Sequence, residues 1–380
     1  MLKKRRSRQA KHAIETGRTL PNHVTAYSPS HRLPTGPLEQ PELKPKPRRW
    51  LRLLSVVFVV LFGLFLIIAV WDAKNISSAS LKLFGDGNFF TLARGGGLAT
   101  TDSGRVNVLI AGYSADDPGH AGAQLTDSIL FLSMNPSTKT GYMLSIPRDL
   151  YVNITGFGYA KINEAYVDGG MSLLEKVVSQ NFDVQINNYA LINYAAVRQT
   201  VDAVGGITVD INSPDGRLFD PNKDYATGGP LVDMTNGQHT LNGQQALDLT
   251  RARGDPTIFG TPVGFEQSDF QRTADQRIVF TAIKNKLDWK LVLDPRKNSK
   301  ILNAAADNIK TDVTTAEARP LFSLFNSIPS ASLKSLSLRD LNGVNYLSSY
   351  TTLYGQSALI PSAGVNNYSQ IQTALESFNH

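Results

Sequence analysis

The chain has 380 residues, of which 42% are hydrophobic and 18% are charged, and it contains no cysteine. This apolar content is enough to bury a core, so a wholly disordered chain is excluded. The absence of cysteine excludes disulfides, thiolate metal sites and a cysteine nucleophile. The length suggests two or three structural units.

The formal charge of +6 comes from one end of the chain. Residues 1–52 contain 13 Lys and Arg against 3 Asp and Glu, which leaves 25 basic and 29 acidic residues for the remainder. The segment is rich in proline and poor in hydrophobic residues, which is typical of a disordered basic arm. A nucleic-acid-binding protein would carry this charge on a folded surface, so we expect no nucleic-acid partner.

An uncharged apolar run, Leu53–Val70, follows the arm. As a helix it would rise about 27 Å, close to the hydrocarbon thickness of a bilayer. Tryptophans bracket the run, and the nearest arginines all lie on its N-terminal side, where they would contact anionic membrane lipid. We therefore predict a transmembrane helix at 53–71, with the N-terminus cytoplasmic and residues 72–380 extracytoplasmic. The alternatives are a cleaved signal peptide, for which the preceding segment is too long, and a buried core helix, which would show a polar face.

Strand and helix patterns alternate after residues 72–104, a Gly/Ser/Thr-rich segment that we interpret as a stalk. Strand patterns occupy 105–113, 128–135, 140–147 and 207–212, and helical periodicity occupies 162–182 with a Gly–Gly break, 243–253 and 269–287, while 188–206 indicates a strand, a helix and a glycine stop. This alternation predicts an α/β fold, a layered α-β-α domain with a central mixed sheet.

The predicted domain spans residues 105–290. Residues 291–380 have weaker periodicity, with helices predicted at 316–328 and at the C-terminus. We interpret this region as an extension that is packed on the domain or appended to it.

Arginine residues recur at the ends of the predicted elements. Arg148 follows the strand at 140–147, and Arg251 and Arg253 share a side only if the helix has ended there. Further candidates lie in the next helix: Arg272, Gln276 and Arg277. Arginine binds phosphoryl oxygens in a bidentate manner, so convergence at one sheet edge would suit a phosphate or diphosphate. The alternative is that these arginines lie on solvated helix faces.

Asp127 follows a Gly-rich loop and begins a strand. A carboxylate beside a phosphate site is a plausible ligand for Mg²⁺, which prefers oxygen donors. The alternative is that Asp127 caps the loop as an Asx turn. The sequence contains no HExxH, GxSxG or Walker motif.

These segments, in this order, resemble the LytR–CpsA–Psr family of bacterial cell-envelope proteins. The matching segments cover roughly residues 105–290 and are NVLIAG (107–112), LTDSILFLSMNPSTKTGYMLSIPRDLYV (125–152), KINEAY (161–166), VDAVGGITVDI (201–211), LNGQQALDLTRAR (241–253) and DFQRTADQR (269–277). The basic segment and single membrane span also match the layout of this family.

The resemblance implies a phosphotransferase that takes a glycopolymer from a polyprenyl-pyrophosphate carrier and passes it, with one phosphate, to a peptidoglycan hydroxyl. Pyrophosphatase activity is implied as a side reaction, and the lipid would lie in an apolar tunnel. By analogy, the pyrophosphate site would comprise Arg148, Asp149, Lys161, Arg251, Arg253, Arg272, Gln276 and Arg277, with Asp127 and Asp116 as ligands of Mg²⁺.

Three positions depart from the family pattern. Leu125 and Asp275 stand where the family usually has arginine, and Ser114 stands where it has an aspartate. Arg277 would partly compensate for Asp275, and the loop would supply its metal ligand from Asp116. These departures keep two alternatives open: a non-catalytic protein that binds polyprenyl phosphate or relays an envelope signal, and a membrane-bound transcriptional attenuator.

Overall fold

The computed structural model describes residues 74, 77–85, 87–114, 124–213, 216–223, 229–252, 269–287 and 304–379. The basic arm at 1–52 and the apolar run at 53–71 lie outside these residues, so the transmembrane helix remains a prediction. Within the described ranges, no helix has both the length and the hydropathy of a membrane span.

A mixed sheet forms the centre of the described structure. Its six strands, in spatial order, are β11 (Ile309–Thr311), β6 (Asn188–Ile192), β1 (Val106–Tyr113), β2 (Thr126–Asn135), β3 (Thr140–Ile146) and β12 (Leu333–Ser337). The pairs β1–β6 and β3–β12 are parallel, and the other three pairs are antiparallel. Both edge strands come from residues beyond 290.

The central strands are apolar on both faces because helices cover both sides. On one face, Leu109 and Phe131 belong to a core with Leu174 of α2 (Ala165–Phe182), which α7 (Ser369–Glu376) also joins. On the other face, Val108 and Leu132 pack in a core with α6 (Thr315–Ser327). This arrangement of a mixed sheet between helices confirms the predicted fold class.

A second group of elements packs on the same face of the sheet as α6. It contains α3 (Tyr194–Ala203), α4 (Gly243–Arg251) and α5 (Asp269–Lys286), together with the pairs β7 (Ile207–Ile211) with β10 (Gly237–Leu241) and β8 (Arg217–Lys223) with β9 (Pro230–Thr235). Their apolar residues form a separate cluster around Ile207, Leu249 and Val279.

Two hairpins extend from the first face of the sheet. One pairs β4 (Tyr151–Ile154) with β5 (Gly158–Lys161), and the other pairs β13 (Leu347–Thr351) with β14 (Ser357–Pro361). The backbone N–H of Leu359 donates to the carbonyl of Asp149 at 2.9 Å, which joins the second hairpin to the segment before β4.

The predicted glycine break in the helix at 162–182 is confirmed. A 3-10 turn, Ile162–Glu164, precedes α2, and Gly169 and Gly170 have non-helical backbone angles inside it. Gly170 has a φ of 68°, which a residue with a Cβ rarely adopts.

The segment that the sequence indicated as a stalk contains helical residues at 77–84 and α1 (Phe89–Arg94). Ala79 and Leu92 pack with Ala306 in a small apolar cluster. This part of the segment is therefore packed against the C-terminal region.

An acidic pair lies near the β11 edge. Asp312 accepts a hydrogen bond from the backbone N–H of Tyr189 at 2.7 Å, while burial raises the pKa of its carboxyl. Burial also raises the pKa of Glu175 on α2 to about 7, and the nearby charge of Asp312 adds to this effect. The folded protein therefore binds a proton at Glu175 more tightly than the unfolded chain does.

The folded state should consequently lose stability as pH rises from about 4.5 towards 7, because the charged form of Glu175 is disfavoured only when folded. We expect Glu175→Gln to remove this loss, so its stability relative to wild type should rise by roughly 1 kcal/mol between about pH 5 and pH 8. Urea unfolding at several pH values measures this difference. Ser172→Ala, a neutral exposed change on the same helix, should parallel wild type, and a Glu175→Gln curve parallel to wild type would contradict the account.

Candidate active site

A cavity of about 450 Å³ lies between the central sheet and helices α3, α4 and α5. Its inner wall is apolar because strand side chains alternate, and the positions that face these helices are largely aliphatic. The apolar lining includes Ile110, Leu130, Ile192, Leu247, Val279 and Phe280. The volume lies within the range of small-molecule binding sites.

Polar and charged side chains line the rest of the cavity. Five of the residues predicted from the sequence contribute to its wall: Asp127, Arg148, Arg251, Arg272 and Gln276. They come from β2, the segment after β3, the end of α4 and the first turns of α5. Residues up to 149 positions apart in the chain therefore meet at one site.

Two of the arginines meet at Asp127. The Nη1 of Arg148 donates to Oδ1 of Asp127 at 2.5 Å, and the Nη2 of Arg272 donates to the backbone carbonyl of Asp127 at 3.2 Å. Arg148 takes this position because β3 ends at Ile146, beside the first residues of the antiparallel β2. Asp127 thus holds two guanidinium groups at the same end of the sheet.

The third arginine lies at the end of α4. The helix begins with a capping box between Asn242 and Gln245, and Ala252 has extended backbone angles, so Arg251 is the last helical residue. The helix therefore ends at Arg251, which is the condition that the sequence set for Arg251 and Arg253 to share a side. The guanidinium of Arg251 stacks over the ring of Tyr194, 5.1 Å from its centroid, which is a cation–π contact.

Gln276 connects three elements around the cavity. Its Oε1 accepts a hydrogen bond from Oγ of Ser128 on β2 at 2.7 Å, and its Nε2 donates to the carbonyl of Thr250 on α4 at 3.2 Å. Because a glutamine amide both donates and accepts, it can satisfy both partners at once. Gln276 therefore fixes α5 against the sheet and against α4.

Asp149 and Lys161 are not among the residues that line the cavity. Nζ of Lys161 donates to Oδ1 of Asp149 at 2.7 Å, and Oδ2 of Asp149 lies 3.6 Å from Nε of Arg148. Through this contact the pair is linked to Arg148 of the cavity wall. We infer that it orients the guanidinium and does not contact a ligand in the cavity directly.

Arg277 also lies outside the cavity lining. Its Nη1 donates to Oγ of Ser145 at 2.6 Å, and burial lowers its pKa to about 10 despite the opposing charge of Asp275. The carboxylate of Asp275, which is 1% exposed, lies where the family usually has arginine. Ser145 itself lines the cavity, so Arg277 supports the wall from behind.

Two predicted site residues, Arg253 and Asp116, lie outside the described residues. Among the described residues, no group of three His, Asp or Glu side chains could hold a metal ion. Asp127 is the carboxylate of the described cavity wall, and Mg²⁺ is commonly held by one or two carboxylates together with substrate phosphates. The donor set therefore fits Mg²⁺ only if the substrate supplies oxygens.

Sequence reasoning missed several polar residues of the wall. Ser128, Ser145, Tyr194 and Thr250 all line the cavity. For the two serines a signal exists, because each interrupts an apolar strand close to the end that carries the site. Tyr194 and Thr250 have no comparable signal, since their roles depend on contacts between distant segments.

The arrangement can bind an amphiphile with an anionic head. The described lining carries three guanidinium groups and one carboxylate, so this part of the wall has an excess of positive charge. Arginine offers planar donor pairs that match phosphoryl oxygens. The aliphatic lining would take up an apolar chain attached to such a head.

The model of the LytR_cpsA_psr family matches residues 82–360. The chain belongs to this family. The match extends beyond the segments that carried the resemblance and includes both edge strands of the sheet.

Curated members of the family named as transferases are similar in sequence. The chain is 31% identical over 270 residues to the polyisoprenyl-teichoic acid–peptidoglycan teichoic acid transferase TagU of Enterococcus faecalis, covering 69% of this chain and 80% of that protein. It is 29% identical over 311 residues to the transferase TagT of Bacillus subtilis, covering 80% and 88%. It is 36% identical over 214 residues to TagU of Oceanobacillus iheyensis, covering 55% of this chain and 59% of that protein.

Solved structures of the family share the fold. TagT bound to LIIa-WTA has a TM-score of 0.54 at 25% identity, covering 74% of this chain and 95% of that chain. TagV of Bacillus subtilis has a TM-score of 0.54 at 23% identity, covering 73% and 98%. These likenesses agree with the mixed central sheet and flanking helices described above.

The hydrogen bond from Arg277 to Ser145 leads to a prediction about stability. We expect Ser145→Ala to lower the free energy of unfolding by about 1–3 kcal/mol, because it removes the acceptor from a largely buried guanidinium. Urea unfolding measures the change. Ser137→Ala, in the exposed turn between β2 and β3, should change it by less than about 0.5 kcal/mol, and equal effects of the two variants would refute the role assigned to Ser145.

Proposed function

We propose that this protein is a membrane-anchored phosphotransferase that moves a glycopolymer from a polyprenyl-diphosphate carrier to a hydroxyl group of peptidoglycan. One observation carries the proposal: Arg148, Arg251 and Arg272 line the same cavity as a set of largely aliphatic side chains. Relatives named as teichoic acid transferases support it. A structure of TagT with bound octaprenyl pyrophosphate lipid, which shares the fold, indicates the class of ligand in that relative.

The aliphatic wall would hold the polyprenyl chain. Each buried methylene of such a chain contributes about 0.8 kcal/mol, so several isoprene units would supply most of the binding free energy. The chain would enter between the sheet and helices α3, α4 and α5, where Leu130, Leu247 and Val279 line the cavity.

The three guanidinium groups would bind the diphosphate. Arg148 and Arg272 are already held together at Asp127. Folding therefore supplies the free energy needed to bring these two positive charges close, and substrate binding does not have to supply it. Arg251 stacks on Tyr194, which limits the rotamers of its side chain. Preorganised donors of this kind stabilise charge that develops in a transition state.

The proposed reaction is a displacement at the phosphorus that carries the glycopolymer. The oxygen of the acceptor hydroxyl forms a bond to this phosphorus and releases its proton to solvent. The bond from the phosphorus to the bridging oxygen breaks, and polyprenyl monophosphate leaves with the electron pair. Arginine side chains around the diphosphate would offset the charge that accumulates on the leaving oxygen, so catalysis would rest mainly on positioning and electrostatics.

Water would replace the acceptor hydroxyl when no acceptor is bound. The same displacement would then hydrolyse the diphosphate, which is the pyrophosphatase side activity that we infer. An apolar anchor at 53–71 would keep the enzyme on the membrane that contains its lipid-linked donor, and it would raise the effective concentration of that donor.

Mg²⁺ is the proposed cofactor, with Asp127 as the ligand from the described cavity wall. Bound beside the diphosphate, the ion would neutralise phosphoryl oxygens. The Asp127 carboxylate accepts a hydrogen bond from Arg148. Asp127 would therefore hold both the Arg148 guanidinium and Mg²⁺ beside the diphosphate.

Replacement of Arg148 tests the proposed role of the guanidinium groups. We expect Arg148→Ala to lower kcat/KM for transfer by about a hundredfold or more, and Arg148→Lys to lower it less, because lysine keeps the charge but loses the planar donor pair. Transfer from a synthetic polyprenyl-diphosphate-linked sugar to soluble peptidoglycan, with the full-length protein, measures it.

Arg94→Ala, an exposed arginine at the end of α1, is the matched control and should retain wild-type activity. If Arg148→Ala kept wild-type activity, the cavity would be excluded as the site of the reaction. A wild-type protein that binds the donor without transferring or hydrolysing it would instead favour the non-catalytic alternative.

Removal of the metal tests the proposed cofactor. We expect chelation to abolish transfer, added Mg²⁺ to restore it, and Asp127→Asn to raise the Mg²⁺ concentration for half-maximal activity by about tenfold or more, because the oxygen ligand loses its negative charge. Asp168→Asn, exposed on α2, should leave this concentration unchanged. Activity that survives complete chelation would rule out the metal.

A further inference from the structure

Four tyrosine side chains form a surface patch beside the site, which we term the tyrosine platform: Tyr151, Tyr159, Tyr350 and Tyr354. The rings of Tyr151 and Tyr159 stack with centroids 5.6 Å apart and an angle of 26° between their planes, and the ring of Tyr350 lies 5.4 Å from that of Tyr151. Tyr354 lies in the turn that joins β13 to β14, on the same hairpin as Tyr350.

The platform is exposed to solvent although the tyrosine rings are apolar. Tyr159 is 48% exposed, Tyr354 is 90% exposed, and the neighbouring Leu353 is 92% exposed. Contiguous exposed apolar surface commonly marks a binding site. Tyrosine suits a partner that is apolar on one face and hydroxylated at its edge, because the ring is apolar and the hydroxyl can donate and accept hydrogen bonds.

Paired backbones hold the rings in position. Tyr151 and Tyr159 lie on the two strands of the β4–β5 hairpin, and Tyr350 pairs with Ala358 in the β13–β14 hairpin. Leu359 joins the two hairpins through its hydrogen bond to Asp149. A preorganised aromatic surface binds with little loss of conformational entropy.

A short chain of contacts links the platform to the candidate active site. Lys161 is directly opposite Tyr151 in the β4–β5 ladder, so the two side chains lie on the same face of the hairpin. Lys161 contacts Asp149, and Asp149 contacts Arg148 of the cavity wall. Two side chains, Lys161 and Asp149, therefore link Tyr151 to Arg148 of the cavity wall.

The chemistry of the platform indicates its partner. Lys161 stands opposite Tyr151 in the hairpin, and Glu164 acts electrostatically on the Tyr151 hydroxyl. These two charges have opposite signs, so together they offer no net charge to an anionic polymer or an anionic membrane. A pyranose chain presents apolar C–H faces with hydroxyl edges, which complement stacked tyrosines. The donor lipid would fill the cavity, so the attacking hydroxyl has to approach from outside it.

We propose that the tyrosine platform binds the glycan strand of the acceptor and delivers its hydroxyl group to the diphosphate. This inference rests on the proposed function, because it assigns the acceptor to a place beside that site. It gives the hairpin of residues 347–361 a role in substrate binding.

The test uses the full-length protein, a polyprenyl-diphosphate-linked sugar as donor and soluble peptidoglycan as acceptor. We expect the double variant Tyr159→Leu with Tyr354→Leu to raise KM for the acceptor by about tenfold, with kcat and the KM for the donor within about twofold of wild type, because each lost stacking contact weakens binding by a modest amount. The double variant with phenylalanine at both positions keeps the rings and should stay within about threefold of wild type. Phe90→Leu, an aromatic residue of α1 that is 81% exposed, should have no effect.

A binding measurement separates this inference from the proposed function. A hexamer of β-1,4-linked N-acetylglucosamine should bind wild-type protein and the phenylalanine variant, and it should bind the leucine variant about tenfold more weakly. If the leucine variant has an unchanged KM for the acceptor, or a raised KM for the donor instead, the role assigned to the platform is wrong even if transfer is observed. Failure of transfer in wild type, with hexamer binding that depends on the tyrosines, would overturn the proposed reaction and leave the glycan surface standing.

Discussion

The site depends on a single electrostatic constraint: guanidinium groups gathered beside an aliphatic cavity need negative charge close to them. Transfer of an ion from water into an apolar environment is costly unless a partner compensates it. Asp127 supplies one such partner by accepting from Arg148 and, through its backbone carbonyl, from Arg272. The described wall carries two guanidinium groups more than carboxylates, so an anionic head group would complete it electrostatically.

The fold satisfies this constraint by joining segments from most of the described chain. Arg148 and Asp127 are neighbours because β2 and β3 are antiparallel. Helix α5 packs over the same sheet face, so Arg272 reaches Asp127 and Gln276 reaches Ser128. Outside the lining, Asp149 and Arg277 contact residues that line the cavity, and Lys161 contacts Asp149. The second hairpin is bonded to the same segment through Leu359, which connects the tyrosine platform to the backbone at the site.

Local patterns in the sequence predicted much of this architecture. The strands near 105–147 and the helix at 243–251 were predictable because their apolar periodicity is strong. The edge strands were not, because β11 has three residues and β12 has little apolar alternation, and both form only by pairing with distant strands.

Contacts between distant segments also explain which features of the site could not be predicted from the sequence. The residue types indicated phosphate binding, but the meeting of Arg148, Arg251 and Arg272 depends on packing between segments more than a hundred positions apart in the chain. The resemblance placed Arg277 in the diphosphate site, whereas its hydrogen bond to Ser145 places it behind the wall. The platform left no local signal, because its tyrosines come from two hairpins that are distant in sequence.

The central claim is that an aliphatic cavity with arginines at one end holds a lipid diphosphate. The most direct measurement is mass spectrometry of lipid that remains bound to the full-length protein through purification from a bacterial membrane. The account predicts a polyprenyl phosphate or diphosphate in wild type and its loss when Arg251 and Arg272 are both replaced by alanine. Wild-type protein that carries no such lipid, and takes up none when a polyprenyl diphosphate is supplied, would contradict it.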